Sequence, residues 1–183
     1  MNGKSVWSVV AFAVMCALPA TASAQMASWQ DVQVADIEDM KDKWIALAGA
    51  FEESQYDWEP MEGVRSVRQV LGLAIAEANL FPTSWGADPG PGAASGFGAE
   101  LQRAAELSQE DMIAGLEASF DYLIGVVQGM DRPKRMSEST YFGRDMQVHA
   151  NIATAMSDMH EHLGQLIAYA RTNHVVPPWS MGN

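Results

Sequence analysis

Apolar residues recur at three- and four-residue steps through four stretches of the chain, the period of an amphipathic helix. In the first, residues 32–53, Ile37, Met40, Trp44, Leu47, Ala48 and Phe51 share a face. It gives out at Tyr56-Asp57-Trp58-Glu59-Pro60, where proline forbids continuation. The second opens at Ser66, whose spacing to Gln69 fits a capping box. It carries Val67, Val70, Leu71, Ala74, Ile75 and Ala78 and is expected to stop before Pro82. The third spans 108–129, with Ser108 and Asp111 as a second capping signal and Met112, Leu116, Phe120, Leu123 and Val127 on its buried side. The fourth spans 144–173, with a core stripe of Ile152, Met156, Met159, Leu163, Leu166, Ile167 and Ala170, and Pro177-Pro178 lie beyond its end. Residues 82–98, built around Asp88-Pro89-Gly90-Pro91-Gly92, read as a loop. It is long enough to cross the end of a bundle or to cover a site as a lid. Residues 99–107 read as a short helix leading into the third. No stretch alternates as a strand does. The pattern predicts an all-α fold, a four-helix bundle.

The N-terminus changes this picture. Lys4 precedes an apolar run from Val6 to Leu18, then Pro19 and the small-x-small site Ala22-Ser23-Ala24. That order describes a secretory signal peptide over 1–24, cleaved before Gln25, with an uncleaved anchor as the alternative. Met15 before Cys16 does not suit a lipoprotein site. The mature domain, 25–183, keeps no cysteine, so neither a disulfide nor a thiol nucleophile is available to it. Losing Lys4 leaves ten basic against 23 acidic residues, a formal net charge of −13. This field repels nucleic acid and anionic lipid, and no later segment is apolar for long enough to cross a membrane. The expected setting is periplasmic or secreted, with neither nucleic acid nor membrane as partner. The 12 methionines read as adaptable core filling.

The histidines hold the candidate chemistry. On the fourth helix Asp158 and His162, four residues apart, share a flank of the core stripe with Asn151, Ala155 and Tyr169, while His149 and His160 take the opposite flank. His174 falls in the tail and reads as solvated. A carboxylate and an imidazole on adjacent turns suit a divalent ion. On spacing alone a hydrogen-bonded pair at a helix–helix edge is the favoured reading, because two ligands do not make a site. No G-x-S-x-G, phosphate loop or H-E-x-x-H is present.

The stretch His160-Glu161-His162-Leu163-Gly164-Gln165-Leu166-Ile167-Ala168-Tyr169-Ala170-Arg171, followed by Val175-Val176-Pro177-Pro178-Trp179, resembles the DinB/YfiT-like family in its exported form. Tyr56-Asp57-Trp58-Glu59-Pro60, Gly63-Val64-Arg65-Ser66-Val67, Ala76-Glu77-Ala78-Asn79 and Phe142-Gly143-Arg144 extend the resemblance along the mature chain. It implies an up-down-down-up bundle, often a homodimer. It also implies a three-histidine divalent metal site, with one histidine from the second helix and two from the fourth, and in some members hydrolase or thiol-transferase activity. His162 matches the last of those ligands and Asp158 stands where another histidine is usual. The second-helix histidine should fall at Leu73 or Ala74, neither of which binds metal; Glu77, one turn further, is the conceivable substitute.

Two functions follow. One is a bundle with a degraded metal site and weak or no catalysis, its cleft kept for a small apolar ligand; the missing ligand favours it. The other is a hydrolase or thiol transferase acting on a small molecule, with Zn or Ni held by Asp158, His162 and Glu77.

Overall fold

The computed structural model describes residues 27–181; the signal peptide expected over 1–24 lies outside them. No helix among the described residues is long and apolar enough to cross a membrane.

Serine caps set the helix starts. Helix α1 (Trp29–Ala50) begins three residues before the periodicity indicates, because Ser28 accepts from the Asp31 backbone N–H while the Asp31 carboxylate accepts from that of Ser28. Ser66 and Gln69 form the expected capping box at α2 (Val67–Ser84), and Ser108 caps α4 (Gln109–Gly129). Helix α2 does not stop before Pro82 but runs through it. In the last turn the missing N–H forfeits a single bond. The Thr83 and Ser84 hydroxyls donate back to the Leu80 and Phe81 carbonyls at 2.7 and 2.8 Å. Helix α3 (Phe97–Ala105) is the expected short helix, shifted two residues towards the N-terminus.

The connection after α4 departs from expectation. It holds a single turn, α5 (Arg132–Arg135), then two strands, β1 (Glu138–Tyr141) and β2 (Arg144–Gln147). The strands pair antiparallel, and Phe142 (φ 44°) and Gly143 (φ 79°) form the turn between them. Two consecutive positive φ values suit the right-handed twist of a hairpin. Helix α6 (Val148–Thr172) therefore starts at Val148, where its apolar stripe begins, and not at 144.

Hydrogen bonds at the helix ends give the directions. Gln30 of α1 donates to the Val127 carbonyl at the end of α4, and Gln109 at the start of α4 donates to the Ala48 carbonyl, so α1 and α4 run opposite ways. Arg68 near the start of α2 donates to the Leu107 carbonyl just before α4, so these two run together. Tyr169 near the end of α6 donates to the Arg65 carbonyl before α2. Trp29 packs edge-on against His149, each at the start of its helix. The order is up-down-down-up. The core between these helices includes Trp44, Tyr56, Leu71, Ile75, Phe120 and Met159, none with any exposed surface.

The loop between α2 and α3 is pinned. The Gly90 N–H donates to the Asn79 carbonyl at 2.9 Å, and a Cβ on Gly90 would lie 2.0 Å from Asn79 Oδ1. Glu100, with no exposed surface, accepts from Asn79 Nδ2 (2.9 Å), the Ala94 N–H (2.7 Å) and Arg103 Nε (2.8 Å). Burial works to raise its pKa, but these donors outweigh it and hold the carboxyl below its ordinary value. A lowered folded-state pKa contributes stability above the ordinary carboxylate range that is lost as pH falls through the lowered value. Glu100→Ala is therefore expected to destabilise the domain by about 2 kcal/mol at neutral pH. Urea denaturation should show the gap from wild type narrowing in acid.

Candidate metal centre

Helices α2 and α6 bring together three side chains that are far apart in sequence. One ligand atom each from Glu77, Asp158 and His162 lies within 4.8 Å of the other two. His162 Nε2 stands 3.3 Å from Glu77 Oε1. Glu77 is 2% exposed, and its other oxygen, Oε2, is buried without a hydrogen-bond partner. Asp158 and His162 are half-buried and form the outer side of the cluster. Asp158 Oδ2 accepts from the Tyr141 hydroxyl at 3.0 Å. No sequence signal marks Tyr141, since only the hairpin brings it to α6.

The remaining histidines stay apart from this cluster. His160 faces Asp36 of α1 at 3.1 Å. His149 contacts Trp29 and the Arg135 carbonyl, and His174 is exposed beyond α6. Leu73 and Ala74, where the resemblance looks for a histidine, are both buried apolar residues. The acid one turn on is the α2 group that meets His162.

No family model matches the sequence, and no curated protein does. Solved structures do match. A DinB-like protein from Bacillus cereus superposes with a TM-score of 0.64 at 13% identity, over 82% of this chain and 93% of that one. The DinB-like protein YjoA from Bacillus subtilis gives 0.62 at 17% identity, over 79% and 93%. This is the DinB-like fold. YfiT from Bacillus subtilis, described as a probable metal-dependent hydrolase with an unusual four-helix bundle topology, gives 0.62 at 15% identity, over 80% and 89%.

Within this DinB-like bundle Glu77, His162 and the neighbouring Tyr141 are each held above their ordinary pKa values. Burial pushes the Glu77 carboxyl above its ordinary value, against the hydrogen bond from His162. That same hydrogen bond raises the His162 imidazole, against its partial burial. Burial and the Asp158 carboxylate raise the Tyr141 phenol, which stays a donor.

A divalent cation fits these donors. A cation would have to displace the protons on Glu77 and His162. The ligands would then be two carboxylates and a neutral imidazole, two negative charges that combine hard oxygens with a borderline nitrogen. The partnerless Oε2 of Glu77 is the clearest sign, since a buried carboxylate oxygen without a donor is costly. Ligand bonds of about 2.0–2.2 Å place donors around one ion up to roughly 4 Å apart, so only small adjustments are needed.

In the metal-free protein, His162 is expected to titrate above the ordinary histidine value and to return towards it in Glu77→Gln. Ring-proton NMR across the neutral range reads both. An unshifted His162 in wild type would remove the proposed contact with Glu77.

Proposed function

We propose that this chain is an exported, metal-dependent hydrolase of a small molecule, with Glu77, Asp158 and His162 as ligands to one divalent cation. The observation that carries the reading is Glu77: a carboxylate buried on α2, turned to His162, with one oxygen unpartnered. The sequence favours a degraded site because Leu73 and Ala74 offer no ligand. The approach of Glu77 to the α6 pair supports the fuller set. YfiT, which shares the fold, is described as a probable metal-dependent hydrolase. A mycothiol-dependent maleylpyruvate isomerase shares it too, at a TM-score of 0.58 and 14% identity, so hydrolysis is adopted for the ligand set and not for the likeness.

The residues divide the work by depth. Glu77 anchors from the buried side, while Asp158 and His162, on adjacent turns of α6, hold the side nearer solvent. Tyr141 donates to Asp158 and fixes its orientation, as outer hydrogen bonds to ligating carboxylates do. When bound, a divalent cation would polarise a carbonyl or phosphoryl oxygen and make water a better nucleophile. Zn²⁺ and Ni²⁺ suit the imidazole, and two carboxylates also admit Mn²⁺.

Elemental mass spectrometry of the purified 25–183 domain, after gentle dialysis, is expected to find about one equivalent of divalent metal. His162→Ala should lose it and His160→Ala should keep it. No stoichiometric metal in wild type, even after incubation with Zn²⁺, Ni²⁺ or Mn²⁺, would instead support the degraded site. Equal loss from both variants would defeat the ligand assignment. Protein recovered after expression of the full chain is expected to begin at Gln25, and N-terminal sequencing that finds Met1 would sink the export reading.

A further inference from the structure

A second feature sits against the cluster. Between the end of α2, the start of α3 and the β1–β2 hairpin lies a cleft of about 290 Å³. Four aromatic rings wall it: Phe81, Phe97, Tyr141 and Phe142. Phe81 and Phe97 lie nearly parallel, 15° apart at 6.5 Å. Tyr141 meets Phe81 edge-to-face at 5.6 Å and Phe142 at 4.7 Å. In a chain with a formal net charge of −12, none of the lining residues is charged. The lining hydroxyls are already engaged as donors: Thr83 to Leu80, Ser84 to Phe81, and Thr140 to Asp145.

We propose that this cleft binds an uncharged aromatic ring carried by a small molecule. Tyr141 makes it part of the same site. Its ring is a wall of the cleft, and its hydroxyl reaches Asp158. A ring lodged there would hold the rest of its molecule beside the proposed metal ligands. The assignment as the substrate's ring therefore rests on the metal-dependent reading, while binding in the cleft does not.

The ligand class follows from the walls. Aromatic pairs gain from stacked and edge-to-face contacts, and this cleft presents both ring faces and ring edges. Its volume falls just short of the usual range for small-molecule pockets, about 300–1,000 Å³, which favours one ring system over a long chain. Phe142 is 78% exposed although it sits at the positive φ of the turn, a position that suits glycine. Phe97 is 37% exposed on the opposite side. Both rings thus keep exposed surface that a bound ring would cover.

The test is calorimetric titration of 2-naphthol, uncharged at neutral pH, into the 25–183 domain incubated with one equivalent of zinc, with zinc content measured on the same samples. Wild type is expected to show saturable one-to-one binding. Thr83→Trp fills the cleft from an exposed position, and Phe142→Gly removes one wall while relaxing the turn. Each is expected to weaken naphthol about tenfold with zinc content unchanged. No saturable binding in wild type, or undiminished binding in both variants, overturns the proposal and leaves the metal reading standing. Naphthol binding that weakens in both variants while zinc never binds upholds the cleft and removes the metal centre beside it.

Discussion

Burial of α2 on nearly every side is the constraint from which the rest of the fold follows. Thirteen of its 18 residues are buried, so an apolar helix of this kind must be covered all round. Helix α4 covers it on one side and α6 on another, while α3 and the pinned loop close a third. The reversal of direction between α2 and α3 is part of this. Because α2 and α4 run the same way, the chain must travel back along α2 before α4 starts, and it covers α2 as it returns. Glu100 holds that return path in place by collecting donors from α2, the loop and α3.

Against that cover, Glu77 stands out. A carboxylate on a helix so thoroughly buried is costly unless something compensates it. What faces it is His162, with Asp158 close by. The hairpin completes the arrangement from outside the bundle by aiming one phenol at Asp158 and leaving its tip ring at the mouth of an apolar cleft. Charge inside, apolar surface beside it and a hydrogen bond joining the two give the molecule one chemically distinctive region.

Much of the fold was legible because its signals are local. Ser66 and Ser108 announce their helices within four residues, and the stripes on the first and fourth helices keep period over about four and about five turns. The hairpin was not legible. Its strands are four residues each, mostly polar on both faces, and the Phe142–Gly143 turn lacks the usual Asn-Gly or Asp-Gly pair. With no turn signal to stop it, the helical pattern runs back in sequence over Arg144–Gln147. The expected stop at Pro82 follows a rule that holds for helix interiors, whereas this proline falls in a last turn whose end carbonyls, Leu80 and Phe81, are capped by the Thr83 and Ser84 hydroxyls. At the site, the Asp158 and His162 flank follows from helical geometry alone. Glu77 carries no ligand signal of its own; only the family resemblance points to it, as the acid one turn beyond Leu73 and Ala74. Tyr141 needed the tertiary structure, since its partner lies across an element that the sequence did not reveal.

The parallel course of α1 and α6 has a mechanical consequence. Trp29 begins α1 at the end of the bundle where α6 also begins, and Asn173 follows α6 at the other end, near Gln55. The chain therefore leaves its two outer helices from opposite poles, separated by the length of α1, about 33 Å at 1.5 Å per residue. Tension applied through those exits would slide α1 and α6 past each other along their seam. Every contact in the seam would share the load at once, as in a lap joint, whereas an antiparallel pair pulled from one pole would peel open a turn at a time.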